Sequence, residues 1–196
     1  MPPRFRSTRT PTPRIAIALW LLAGAALDAA AGAPLPLPSP SAMYALLGVA
    51  RGTNAATAGG WWDGAWRLDR AWGSATVHLE VSLGHWSAHP PEHGAEATTS
   101  VTQFGITPVV RLHPRGSGGW FVEGGIGVNM LSPHYRNGDK RFSTSFNFGD
   151  HLAVGRHIDP RGEHELSLRL QHFSNAGIER PNPGEDFLQL RYLRRF

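Results

Sequence analysis

His172 and Ser174 are the residues whose types and spacing best suit a chemical reaction. They lie two positions apart in the stretch HFSNAGI at 172–178. Residues two apart on a β-strand point to the same face, so a strand here places an imidazole beside a hydroxyl. A base next to a hydroxyl is the arrangement that activates a serine as a nucleophile. The spacing therefore suggests a serine hydrolase site, although short His-x-Ser pairs also arise by chance.

A carboxylate for this pair is available from the next strand. The chain turns through 175–184 and returns with Glu185 and Asp186, which then lie across from His172. A carboxylate there would hold the imidazole in one tautomer and stabilise its charged form. Asp186 has the parity of the apolar residues of its strand, as His172 does. Alternation therefore favours Asp186, unless a β-bulge shifts the register and brings Glu185 round instead.

The elements that position these residues are predicted to be β-strands. From residue 43 onward apolar residues recur with period two, and no convincing amphipathic helix is found. Two weaker candidates, 43–52 and 62–72, bring the number of strands to eight. The six clear segments are 75–86, 101–112, 120–130, 143–158, 164–174 and 186–196. Eight antiparallel strands of about ten residues can close into a barrel with no free edge.

Two kinds of barrel fit this pattern, a soluble lipocalin-like barrel with an apolar interior and a membrane barrel with an apolar exterior. The chain ends in Phe196, and a terminal aromatic resembles the ending of many bacterial outer-membrane barrels. The polar face of the strands carries ionisable residues, and in a barrel interior opposite charges of this kind can pair with one another. These residues are His78, Glu80, Glu123, Arg169 and Arg191. We therefore predict an all-β, eight-stranded antiparallel transmembrane barrel.

The N-terminal part of the chain has the layout of a secretory signal peptide. Four arginines up to Arg14 precede an apolar run at 15–27 and small residues at 29–33. An uncleaved anchor is the alternative. We divide the chain into a signal peptide at about 1–33, a proline-rich linker at 34–42 and a barrel at 43–196. The formal net charge of +4 belongs largely to the leader, which argues against nucleic acid as a partner.

Metal and thiol chemistry have little support in the sequence. The chain has no cysteine, which excludes thiol catalysis and cysteine-ligated zinc. His85, His89 and His93 have a spacing that would align on a helix, but Pro90 and Pro91 interrupt it. We therefore expect neither a metal nor another cofactor.

The expected position of the pair suggests a substrate. With a periplasmic N-terminus, the strand that carries His172 and Ser174 ends near the outer rim, and both residues face the lipid. Ionisable groups on a lipid-facing surface are costly and point to a function. The outer leaflet of Gram-negative bacteria consists of lipopolysaccharide, so an acyl ester of lipid A is the expected substrate.

Several stretches resemble the PagL-type lipid A 3-O-deacylases. They are HFSNAGI at 172–178, PNPGED at 181–186, FVEGGIGV at 121–128 and STSFNF at 143–148. The resemblance is good over 120–196 and loose over 43–115. It implies an eight-stranded outer-membrane barrel that hydrolyses the 3-position ester of lipid A, releases a 3-hydroxy fatty acid, forms dimers and needs no metal.

The resemblance also implies roles for individual residues. His172 would be the general base and Ser174 the nucleophile, with Asn175 at the oxyanion hole through its backbone N–H. The third member in the family is a glutamate, whose place falls on Asp186, with Glu185 one residue earlier. Basic loop residues are candidates for contacts with lipid A phosphates: Arg136, Lys140 and Arg180. Two alternatives stay open, a structural or adhesive barrel without catalysis and a lipid A acyltransferase.

Overall fold

The structure is a computed structural model that describes residues 38–89 and 100–196. The predicted signal peptide and residues 34–37 of the predicted linker lie outside the described residues, as does His93. The first strand begins at Ala42, one residue before the predicted start of the barrel. The described residues include no helix that is long and apolar enough to cross a membrane.

The described part of the chain forms a closed antiparallel barrel of eight strands, as predicted. A hairpin of two very short strands, β6 (Arg136–Asn137) and β7 (Lys140–Arg141), lies outside the barrel sheet. The barrel strands are β1 (Ala42–Ala50), β2 (Thr53–Arg70), β3 (Gly73–Ala88), β4 (Val101–Pro114), β5 (Trp120–Ser132), β8 (Phe146–His157), β9 (His164–Ser174) and β10 (Glu185–Arg195). Around the barrel the order is β1-β10-β9-β8-β5-β4-β3-β2, so the first and last strands pair and close it.

The predicted start of the second strand was wrong, because β2 begins at Thr53 and not at residue 62. The missed part is 53–61, and its residues 53–60 are small and weakly polar, so they give no hydrophobic alternation. Its place comes from pairing with β1, where Gly59 is the partner of Tyr44. A Cβ at Gly59 would lie 2.5 Å from the Tyr44 ring, so a small residue is needed for the strands to fit.

The barrel is apolar outside and charged inside, as the membrane alternative predicts. The five ionisable residues of the predicted polar face are all buried. Arg169 and Arg191 both bind Glu80, and Arg191 also binds Glu123. Leucine, isoleucine and valine side chains of β3, β4, β5, β8, β9 and β10 are exposed on the outer surface. The soluble lipocalin-like alternative, which needs an apolar interior, is therefore wrong.

The two ends of the barrel differ. At one end the turns are short (71–72, 115–119 and 158–163), and exposed Trp66, Trp72 and Trp120 lie close to them. The other end carries the longer loops 133–145 and 175–184. Short periplasmic turns, long extracellular loops and interfacial aromatic residues are typical of outer-membrane barrels. The end of β9 with His172 and Ser174 is therefore the extracellular end.

An aromatic cluster fills the barrel just inside this end. Phe173, between His172 and Ser174, faces inward and packs at 4.8 Å between ring centres against buried Trp86. Phe187 of β10 lies 4.8 Å from the same indole and 5.9 Å from Phe173. The inward residues of β9 and β10 therefore anchor the strand ends whose outward residues could do chemistry.

Candidate active site

His172 and Asp186 form a direct pair on the outer surface of the barrel. They are opposite partners in the β9–β10 ladder, and the distance between His172 Nδ1 and Asp186 Oδ1 is 2.6 Å. The side chains are 41% and 84% exposed. With Nδ1 held by the carboxylate, Nε2 is the ring nitrogen that remains to accept a proton. The arrangement can support a general base.

Ser174 lies at the end of β9, two residues from His172 on the same face. Its partner in the β8–β9 ladder is Phe148 of β8. The His172 imidazole is hydrogen-bonded to Asp186. Among the described residues, no hydrogen bond joins the His172 and Ser174 side chains. Hydrogen bonds between catalytic groups are often long without substrate and tighten in the complex.

Glu185 lies on the opposite face from Asp186. It is 1% exposed, and its carboxylate accepts a hydrogen bond from the Tyr135 hydroxyl and pairs with Lys140, each at 2.7 Å. No bulge shifts the β9–β10 register, in which Glu185 is opposite Phe173. The structure therefore brings Asp186 and not Glu185 to His172.

Asn175 is a buried organiser of the loop that follows Ser174. Its side-chain amide donates to Ser143 Oγ at 3.0 Å and to the Glu179 carbonyl at 2.8 Å, and its Oδ1 accepts from Gly177 N–H. Its backbone N–H donates to Asn182 Oδ1 at 3.0 Å. This N–H, which we expected at an oxyanion hole, is thus engaged by a side chain that a substrate would have to replace.

Gly184 also lies at the candidate site, although the sequence pattern did not predict this. Its φ is +68°, a conformation that favours glycine. A Cβ there would lie 2.6 Å from His172 Cε1 and 3.2 Å from Nε2. The backbone of the β9–β10 loop therefore packs against the imidazole, and a side chain at 184 would displace it. The sequence feature that indicates a turn at this position is the Pro-Gly step just before the last strand.

Asp150 is a second residue near His172 that the sequence pattern did not predict at the site. It is the partner of His172 in the β8–β9 ladder and is exposed on the outer face, so carboxylates flank the imidazole strand on both sides. Its segment alternates clearly in the sequence and comes directly before β9, so counting across the short 158–163 turn could have placed it opposite His172.

The basic loop residues proposed for phosphate contacts have different surroundings. Arg136 and Arg180 are exposed, whereas Lys140 is held in the ion pair with Glu185. Lys140 therefore has a structural partner already.

One group inside the barrel has donor atoms at distances that suit a metal ion. Atoms of Glu80, Glu123 and His151 lie within 4.8 Å of one another. Both carboxylates are already paired with arginines, which also surround the position with positive charge. We assign these residues to the interior charge network.

Comparison with known proteins identifies the family of this barrel. A family model described as "Lipid A 3-O-deacylase (PagL)" matches residues 52–195. The chain belongs to this family. The match extends well beyond the C-terminal stretches that carried the resemblance and includes seven of the eight barrel strands, all but β1.

Individual PagL proteins align with much of the chain. "Lipid A deacylase PagL" of Bordetella bronchiseptica is 34% identical over 125 residues, which is 64% of this chain and 65% of that protein. "Lipid A deacylase PagL" of Pseudomonas aeruginosa is 29% identical over 133 residues, 67% of this chain and 70% of that protein. The chain thus spans slightly under two thirds of the Bordetella relative.

A solved PagL structure has the same fold. The "Crystal structure of the outer membrane enzyme PagL" superposes with a TM-score of 0.66 and 23% sequence identity. The superposition covers 79% of this chain and 99% of that one. The barrel described here is therefore the PagL fold.

Proposed function

We propose that this PagL-family barrel is an outer-membrane serine esterase that hydrolyses the 3-position acyl ester of lipid A and releases a 3-hydroxy fatty acid. The observation that carries the proposal is the His172–Asp186 pair, which lies beside Ser174 on the outer surface near the extracellular rim. The PagL proteins of Bordetella and Pseudomonas, named lipid A deacylases, support the same substrate.

The position of the site suits a substrate embedded in the membrane. The His172 imidazole and the Asp186 carboxylate face outward among exposed leucines of β9 and β10. Ionisable groups on this lipid-facing surface are costly, and a water-soluble substrate would not require them there. Lipopolysaccharide of the outer leaflet brings its acyl esters to this depth. The substrate then reaches Ser174 by lateral diffusion, and its acyl chains remain in an apolar environment.

In the first half-reaction Ser174 Oγ attacks the ester carbonyl while His172 Nε2 takes the hydroxyl proton. Asp186 stabilises the resulting imidazolium through Nδ1. The backbone N–H of Asn175 exchanges Asn182 Oδ1 for the oxyanion of the tetrahedral intermediate. The intermediate collapses, the C–O bond to the sugar breaks, and the sugar oxygen receives the proton from His172. The product is an acyl-enzyme ester on Ser174.

In the second half-reaction water replaces the sugar. His172 takes a proton from the water as its oxygen attacks the acyl-enzyme carbonyl. Collapse of the second tetrahedral intermediate releases the fatty acid and returns the proton to Ser174 Oγ. No metal or other cofactor enters either step.

The test is expression in a Gram-negative host, with mass spectrometry of lipid A for the wild-type chain and Ser174→Ala. We expect loss of one 3-hydroxyacyl chain with the wild type and intact lipid A with the variant. Ser145→Ala, on another loop, is the matched serine control and should retain activity.

The other outcomes discriminate between the alternatives. Unchanged lipid A, with the wild-type barrel folded in the outer membrane, would contradict the proposal and favour a structural or adhesive barrel. A heavier lipid A would indicate an acyltransferase. Activity that survives Ser174→Ala would remove Ser174 as the nucleophile.

A further inference from the structure

The extracellular loop of residues 133–145 contacts both halves of the candidate active site. We call this segment the clasp loop; it includes the β6–β7 hairpin. It also contacts the β1–β2 turn, where Asn137 Nδ2 donates to the Arg51 and Gly52 carbonyls at 3.1 and 2.9 Å. The clasp loop is therefore also fixed to the barrel rim at the β1–β2 turn, which is separated from β9 by β10.

The first contact with the site goes through Glu185. Its Oε2 accepts the Tyr135 hydroxyl and its Oε1 pairs with Lys140, so two residues of the clasp loop bind one carboxylate. Tyr135 is fully buried, and burial raises the pKa of its hydroxyl, which therefore stays a donor. The Thr53 hydroxyl, 2.6 Å away, then donates to the Tyr135 oxygen.

The position of Glu185 in the chain gives this contact its significance. The next residue is Asp186, whose carboxylate holds His172. An anchored backbone at 185 limits the movement of the Asp186 side chain, which is itself largely exposed. The clasp loop therefore steadies the acid and base half of the site.

The second contact goes through Ser143, near the other end of the clasp loop. Ser143 Oγ accepts a hydrogen bond from Asn175 Nδ2 at 3.0 Å. Asn175 follows Ser174 directly, is 1% exposed, and supplies the backbone N–H proposed for the oxyanion. The same loop therefore steadies the nucleophile half of the site.

We propose that the clasp loop is a positioning element for the reaction, with Glu185 and Ser143 as the positioning residues that set His172 and Ser174 relative to each other. The proposal rests on the proposed function. Errors of about 1 Å in the placement of reacting groups can cost about 100-fold in rate, so a loop that ties both groups to one frame has a direct effect on kcat.

The first test removes the Ser143 hydroxyl. Ser143→Ala should lower kcat on lipid A about fivefold, the effect of one hydrogen bond, with KM nearly unchanged. Ser143→Thr keeps a hydroxyl and should restore most of the activity. Ser145→Ala, two residues along, should behave as wild type.

The second test uses the ion pair. Glu185→Gln leaves the Lys140 ammonium without its partner, and we expect a fall in kcat of about tenfold or more. Adding Lys140→Met to Glu185→Gln removes that unpaired charge, so the double variant should recover part of the lost kcat. If Glu185 were itself the acid of the triad, Lys140→Met would restore nothing.

A second readout keeps the two proposals separate. A fluorophosphonate probe reacts with an activated serine, whose oxygen displaces fluoride while the base takes the proton, and needs no lipid A. Slower labelling of Ser174 in Ser143→Ala and Glu185→Gln, in barrels that keep their heat-modifiable mobility on gels, would support positioning even if lipid A proved to be the wrong substrate.

The outcomes that overturn the inference are also distinct. Wild-type kcat and labelling rates in both Ser143→Ala and Glu185→Gln would contradict it, as would an equal loss in Ser145→Ala. No labelling of Ser174 in the wild-type barrel would contradict both the serine esterase and the positioning role.

Discussion

At the scale of single residues, the candidate site depends on two contacts with one imidazole. Asp186 holds Nδ1, and the backbone at Gly184 packs against the ring edge that includes Nε2. The carboxylate defines the tautomer, whereas the glycine defines where the ring lies. Both residues come from the stretch 184–186, where the β9–β10 loop ends and β10 begins.

Asp186→Asn should lower kcat on lipid A by about 10²- to 10⁴-fold, because the amide no longer favours the imidazolium or the required tautomer. Asp186→Glu should keep much of the activity, since a carboxylate is retained. Release of 3-hydroxy fatty acid in detergent measures the effect. Glu179→Gln, an exposed acid in the same hairpin loop, is the control, and full activity of Asp186→Asn would exclude Asp186 as the acid.

Gly184→Ala should reduce kcat about 10- to 100-fold, because the added methyl displaces the imidazole. Gly116→Ala in the β4–β5 turn has a similar positive φ but nothing within 4 Å of the added Cβ. Gly116→Ala therefore introduces the same backbone strain from a positive φ without a contact between the added methyl and a catalytic side chain. Comparable activity of the two variants would show that the contact at 184 does not matter for the reaction.

At the scale of elements, charged side chains hold the strands together across the barrel interior. Arg111 donates to Glu123 at 2.9 Å and to Glu165 at 3.0 Å, so β4, β5 and β9 are linked through one guanidinium. Arg191 on β10 continues the chain of alternating charges to Glu123 and on to Glu80 of β3. Each charge is buried beside an opposite one, so the loss of a single member is costly.

Glu123→Gln should lower the free energy of unfolding by about 3–5 kcal/mol, since it leaves Arg111 and Arg191 short of a buried counter-charge. Urea unfolding of the refolded barrel in lipid vesicles is the measurement. Asp69→Asn breaks the fully exposed Arg67–Asp69 pair and should leave stability unchanged. Equal stability of Glu123→Gln and wild type would show that the network contributes little.

At the scale of the whole molecule, the barrel presents one apolar belt and two different ends. The site lies at the end with the long loops, and exposed tryptophans lie at the other. This polarity fits a protein whose active groups meet the outer leaflet. Homodimer formation, which the family resemblance implies, stays a prediction.

Leu152→Arg, near the middle of β8 on the outer face, should destabilise the membrane-inserted barrel by about 2–4 kcal/mol. Ile158→Arg, just beyond the end of the same strand, should cost at most about 1 kcal/mol, because its charge reaches the interface. Unfolding from vesicles compares the two variants. An equal cost at both positions would contradict the prediction that residue 152 lies deeper in the membrane than residue 158.

Period-two alternation in the sequence predicted the all-β class and the eight strands, and it assigned His172, Ser174 and Asp186 to one outward face. The catalytic roles of these three residues stay predictions. Period-two alternation is local, so it marks which residues share a face, and the return of the chain from β9 into β10 brings 185–186 across from 172. It failed for 53–60, where small residues carry no hydrophobic signal and pairing with β1 defines the strand.

The contacts of these residues with distant parts of the chain follow from the folded structure alone. The role of Glu185 depends on Tyr135 and Lys140, and that of Asn175 on Ser143, across separations of more than thirty residues that no local pattern encodes. The path of the 175–184 loop likewise brings the Gly184 backbone against the His172 imidazole. Local periodicity thus specifies faces and strands, whereas the neighbours of a site follow from how the strands close and the loops fold back.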